Sequence, residues 1–147
     1  MVRAVLDMCT YQAKAGHAVT LATCDDKDVP AEWRRGGKGV PNVKRLPMPG
    51  RLAWMDSAFK AAATEAVESS DAIHLHVLWD PAQLALAHAA GKRGVPFVQS
   101  PHGMLADWSV RQKRLKKALF YATFGRRLLD RASFVCTTAQ GELDQSQ

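Results

Sequence analysis

The stretch DAIHLHVLWDPAQLALAHAAGKRGVPFVQS, Asp71 to Ser100, decides the fold. AIHLHVLW, Ala72 to Trp79, is apolar at nearly every other position and is bounded by Asp71 before it and Asp80-Pro81 after it, as a central strand should be. Aspartate suits the cap of a following helix and proline its first position, and the alanine-rich stretch to Lys92 ends at Gly94. VPFVQS, Val95 to Ser100, reads as the next strand. Strand, helix and strand with short connections form a βαβ unit, and such units build a parallel sheet by right-handed crossovers.

The pattern extends in both directions. Val2 to Ala15 reads as a helix, with Val2, Val5, Leu6, Cys9 and Ala13 at helical spacing and Gly16 as its stop. His17 to Thr23 follows as a strand, Asp25 to Pro41 as a polar loop, and Val43 to Met48 as a short strand limited by Pro47 and Pro49. Arg51 to Ser69 restores helical periodicity. Beyond Ser100, Trp108 to Arg131 carries Leu115, Ala118, Leu119, Ala122, Leu128 and Leu129 on one helical stripe. Ser133 to Ala139 is a last strand, and GELDQSQ opens another helix. The class is α/β, a Rossmann-like parallel sheet flanked by helices. Open sheets of this kind bind ligands beyond the carboxyl ends of their strands, here just after Thr23, Trp79, Ser100 and Thr138.

At 147 residues the chain is the size of one ordinary domain, and it reads as a single unit. Its hydrophobic share of 47% and charged share of 23% are those of globular proteins. No segment approaches the roughly 18 apolar residues that cross a bilayer, and the N-terminus lacks the apolar centre of a secretory signal. A cytoplasmic location is the expectation. Cys9, Cys24 and Cys136 are far apart and set among apolar neighbours, which reads as buried thiols rather than a disulfide or zinc framework.

Among the strand ends, SPHGML, Ser100 to Leu105, carries the most chemistry, because proline, histidine and glycine together place a titratable ring on a tight turn. Gly103 permits a positive φ or the close approach of a ligand. SPHGML followed by Trp108 and Lys116-Lys117 resembles the histidine-glycine loop of family 4 glycosyltransferases. AGHAVTLAT, DAIHLHVLWDP, AAGKRGVPFV and RASFVCTTAQGEL resemble further segments of that family in the same order, so the resemblance runs from about Ala4 to Leu143.

That family has the GT-B architecture of two facing Rossmann-like domains, and the resemblance here is to the acceptor-side N-terminal domain. The sequence enters after the family's first strand and glycine-rich turn and lacks its paired-glutamate motif, so it reads as one incomplete half of a GT-B fold. The resemblance implies a retaining transferase that moves a sugar from a nucleotide-sugar donor to a glycan or lipid-linked acceptor, as in cell-surface polysaccharide synthesis. It implies no metal and no cofactor beyond that co-substrate. His102 is the expected catalytic residue, orienting a sugar hydroxyl rather than shuttling a proton, with Gly103, Thr138 and Glu142 lining the cleft. The donor-activating cations belong to a C-terminal domain, so the chain alone is expected to be inactive.

His74 and His76 lie two apart on a strand, so their rings share a face. A metal pair and two hydrogen-bonded structural histidines are both open readings, while His76 and Trp79 lie nearest the cleft and suit an acceptor pocket. His17 and His88 read as structural. The formal charge of +6 gathers partly in Arg111, Lys113, Arg114, Lys116 and Lys117, five cations in seven residues. This cluster suits either a solvated helix face or a peripheral contact with anionic lipid at the inner membrane surface, continued by Phe120 and Phe124. A nucleic-acid-binding module is the competing class, but no helix-turn-helix, zinc-finger or aromatic-strand signature accompanies the charge. A non-transferase GT-B enzyme such as a nucleotide-sugar epimerase is the other alternative.

Overall fold

The structure, a computed structural model, describes residues 2–49, 56–104 and 114–137. The chain divides into two units, Met1–Pro49 and Gly50–Gln147.

In the first unit, helix α1 spans Val2–Lys14 and buries Cys9 and Ala13. It stops where Gly16 takes φ 98°; the amide of His17 reaches back to the carbonyl of Gln12 at 3.2 Å, which satisfies one of the helix's last carbonyls. Strands β1, Thr20–Thr23, and β2, Asn42–Arg45, pair in parallel with Thr20 opposite Asn42. Leu46 continues the ladder by donating to the carbonyl of Thr23 at 2.9 Å. Pro47, with no amide hydrogen, cannot extend it. Where the sequence reads as a plain loop, a 3-10 turn at Ala31–Arg35 inserts Trp33 into the core, 4% exposed. Trp33 packs with Cys9 and Val29 beneath Val5, Leu6, Leu21 and Val43, so the loop supplies the largest side chain of this unit's core.

The second unit begins its described part at α2, Ser57–Glu68, capped by Asp56, whose carboxylate accepts from the Phe59 amide at 2.9 Å. Strand β3, Ile73–His76, runs into α3, Pro81–Arg93, and then β4, Phe97–Ser100. A helical run follows as α4, Arg114–Phe120, a π-helical turn at Tyr121–Gly125, and α5, Arg126–Arg131. Strand β5 is Phe134–Val135. The sheet order is β3-β4-β5, all parallel, with His76 opposite Ser100 and Val98 opposite Phe134. This is the α/β arrangement the βαβ pattern predicts.

The sequence also foretells both ends of α3. Asp80 caps it by accepting from the Ala82 amide at 2.8 Å, Pro81 occupies the first turn, and Gly94 closes it in the left-handed region at φ 69°. Its buried residues, Ala82, Ala85, Leu86, Ala87, Ala89 and Ala90, lie on more than one side, as expected of a helix packed against several neighbours. It contacts α2, β3 and α5. Alanine on those faces lets α2 bring Phe59, Ala63 and Val67 into full burial, and the Glu68–Arg93 ion pair ties the two helices at their far ends.

Two expectations fail. Leu115 and Leu119, on the apolar stripe of the long helix, are 88% and 68% exposed, whereas Leu128 is buried. The π turn adds a residue to one turn and rotates the two halves against each other, so a stripe continuous in sequence is not continuous in space. Thr123 reinforces the irregularity by donating its hydroxyl to the Leu119 carbonyl at 2.7 Å. The three cysteines are not uniformly buried either: Cys9 is, Cys24 is half-buried, and Cys136 is exposed just after the short strand β5.

Replacing Phe59, fully buried, by alanine should destabilise the chain by about 3–5 kcal/mol through lost transfer energy and the cavity left behind. Urea unfolding followed by circular dichroism measures it.

Candidate functional site

The carboxyl ends of β3 and β4 are stitched together by contacts that local propensity does not foreshadow. The sequence pattern carries the strand to Trp79, yet β3 stops at His76 because Val77 adopts φ 80°. A β-branched residue is strained in that region, and two hydrogen bonds hold it there. The Val77 amide donates to the Ser100 carbonyl at 3.1 Å, and the Val77 carbonyl accepts from Nε2 of fully buried Gln99 at 2.9 Å.

One strand further on, Pro101 to Met104 form a tight turn in which the Met104 amide donates to the Pro101 carbonyl at 3.2 Å. His102 at φ 52° and Gly103 at φ 77° occupy its centre. Positive φ at both central residues defines a type I′ turn, so the glycine is required for its backbone. A Cβ at position 103 would meet no atom within 4 Å, and the cost of substitution there is conformational rather than steric. The turn is anchored from the loop after β3 by the Leu78 amide, 3.4 Å from the Met104 sulfur.

This geometry brings three histidines together. His74 and His76 stack with ring centroids 4.3 Å apart, and His76 stacks on His102 at 5.2 Å. Nδ1 of His76 lies 2.9 Å from Nε2 of His102, and Nε2 of His74 lies 2.7 Å from the hydroxyl of Ser100. Both members of the His74–His76 pair are thus hydrogen-bonded through a ring nitrogen. Among the described residues no group of three histidine, cysteine or carboxylate side chains is arranged to hold a metal ion.

Burial, with smaller contributions from His74 and His102, pushes the pKa of His76 down to about 3; burial, then His102, lowers that of His74. Both rings therefore stay neutral where an ordinary histidine begins to charge.

Trp79 lies on the loop after β3, with the edge of Phe120 at a centroid distance of 5.5 Å and Nζ of Lys117 5.4 Å from its ring centroid. Its indole Nε1 is buried with no hydrogen-bond partner among the described residues. Gly103 and His76 thus gather with His102, and Trp79 follows three residues after His76. Thr138, Glu142, Arg111 and Lys113 lie outside the described residues, and of Arg114 and Lys116 only the backbone is described. His17 and His88 are exposed and join no cluster with these rings. A groove of about 660 Å³ between α2, α3 and α5, with Lys60, Lys92, Arg127 and Arg131 on its walls, reaches Phe97 at the start of β4 rather than the histidines at its end. Sequence reasoning missed Gln99 and Val77; neither residue type, placed in a strand, signals that it will secure a turn.

Parallel strands joined by helices, with the histidines gathered where β3 and β4 end, define a Rossmann-like α/β domain, and the family is specific. The glycosyl transferase 4-like domain model matches residues 1–147, and the chain belongs to that family. It is one half of the GT-B type. No curated protein and no solved structure matches the chain significantly.

Acid should destabilise the chain through these rings. An unfolded histidine takes up its proton near pH 6.5, whereas folded His76 does so only near 3. Between those values the unfolded state binds more protons, so stability is complete above the upper value and is lost as pH falls toward the lower. His76→Asn, which cannot titrate, should flatten the dependence of thermal stability on pH across that interval. An unchanged slope in melting curves contradicts it.

Proposed function

We propose that this domain forms the acceptor-side wall of a retaining glycosyltransferase site, in which His102 meets the sugar being transferred from a nucleotide-sugar donor to a glycan or lipid-linked acceptor. The observation that carries this reading is the position of His102, held in a left-handed turn at the carboxyl end of β4 and bonded to a neutral His76. As the bond from sugar to phosphate loosens, positive charge grows on the sugar and negative charge on the leaving diphosphate, so fixed dipoles and cations dominate catalysis. The neutral rings of His74 and His76 behind His102 offer hydrogen bonds rather than cations, which suits a site that holds sugar hydroxyls. Gly103 gives the turn its shape, His76 and Trp79 border the acceptor side, and Thr138 with Glu142 complete the cleft. In this reading the groups that neutralise the diphosphate come from a facing domain, and the 147 residues alone transfer no sugar.

His102→Ala in the complete enzyme should lower turnover by about 100-fold or more. Release of nucleoside diphosphate from UDP-glucose, GDP-mannose and related donors, with acceptor present, measures it, and wild-type turnover defeats the assignment.

The same reading places the cluster from Arg111 to Lys117 against an anionic membrane surface, supporting action on a lipid-linked or cell-surface polysaccharide intermediate. Its support is the exposure of Leu115 and Leu119 on the helix that carries Arg114, Lys116 and Lys117, since apolar side chains beside basic ones favour the lipid interface. No helix among the described residues is long and apolar enough to cross a membrane. Sedimentation with vesicles containing phosphatidylglycerol should exceed that with phosphatidylcholine alone, and Leu115→Ser with Leu119→Ser should abolish the difference. Equal sedimentation with both lipids overturns it.

A further inference from the structure

Two rungs of side chains cross from β3 to the end of β4, one joining His74 to Ser100 and the other joining His76 to His102. Because β3 and β4 are in parallel register with His76 opposite Ser100, His74 and His76 share the face of the sheet onto which the turn after Ser100 returns His102. The second rung joins two imidazoles nitrogen to nitrogen. A neutral imidazole carries one donor and one acceptor nitrogen, so such a bond links the proton positions of both rings.

We propose that His76 is a positioning residue for His102: Nδ1 of His76 engages Nε2 of His102, fixes the plane and proton placement of that ring, and so sets how it is presented to substrate. The proposal rests on the functional reading of His102 given above and deepens it.

Three observations converge on it. The bond is short, at 2.9 Å, and the rings also stack, so His102 is restrained both in its plane and across it. The partner is itself immobilised, because His76 is stacked on His74, whose Nε2 meets the hydroxyl of buried Ser100. The backbone on both sides is pinned, at Val77 by Gln99 and Ser100 and at Met104 by Pro101 and Leu78. Neutral His76 can accept a hydrogen from Nε2 of His102, so the rung pairs an acceptor nitrogen with a donor nitrogen. His102 is thereby held in one orientation before substrate arrives, which is the preorganisation that positioning requires.

The test uses the 15N-labelled chain and two substitutions. In the native protein, NMR should detect a 15N–15N coupling transmitted through the hydrogen bond between Nδ1 of His76 and Nε2 of His102, with His102 in a single tautomer. His76→Leu fills similar space without a nitrogen and should turn the His102 ring-nitrogen shifts into those of a tautomer mixture. In the complete enzyme it should cut kcat by roughly 10- to 100-fold with KM little changed. His76→Asn places an amide near Nδ1 and should restore the native His102 shifts and most of kcat, a rescue that simple loss of packing would not give.

Absence of the coupling, or native His102 shifts in His76→Leu, overturns the positioning role. Should the leucine variant fail to fold, free-ring His102 shifts in His76→Asn overturn it equally. A coupling that is present while His102→Ala turns over normally overturns instead the functional reading beneath it, so the two failures are distinct.

Discussion

The hydrogen bonds that hold Val77 in the left-handed region are the constraint on which the rest of the site depends. Strands with valine at this position ordinarily continue. Here the Val77 amide is drawn to the Ser100 carbonyl and its own carbonyl is captured by the Gln99 side chain, so β3 ends at His76 and the chain turns toward the capped start of α3. Without that turn the loop carrying Trp79 and Asp80 would leave in another direction. Gln99 does this from complete burial, with its Oε1 lacking a hydrogen-bond partner among the described residues. An unmet buried acceptor is costly, on the order of 1–3 kcal/mol, and its retention beside a strained residue fits the pattern in which local cost gathers at sites of function.

The architecture was legible where the signals are local. Asp80, Pro81 and Gly94 mark the ends of α3 through capping, a preset φ and a left-handed stop, none of which needs knowledge of distant residues. Strand, helix and strand then leave little choice but a parallel arrangement, and β3, β4 and β5 take it. Legibility failed where distant contacts override propensity. Trp33 sits in a stretch that composition marks as loop, because Pro30 starts a 3-10 turn that delivers it to the core. Leu115 and Leu119 follow the helical period faithfully, but periodicity presumes a constant 3.6 residues per turn and the π turn at Tyr121–Gly125 breaks that assumption.

The histidine site divides along the same line. SPHGML announces a titratable ring on a turn because proline and glycine restrict backbone choices in ways that can be named. That His74 and His76 share a face follows from the strand period alone. Their stacking and the nitrogen-to-nitrogen contact with His102 depend on the register between β3 and β4 and on two consecutive positive φ values, and neither is written in any short segment.

The cap on α3 has a further consequence for what this end of the sheet can bind. A helix beginning just beyond a parallel strand usually offers its exposed amides and positive dipole end to a phosphate. Here the Asp80 carboxylate already occupies the Ala82 amide, and the Asp80 carbonyl accepts from Gln83 at 3.0 Å. A negative side chain therefore sits where an anion would otherwise be drawn. In the proposed reading, the uncharged sugar ring rather than the charged diphosphate approaches this end of the sheet.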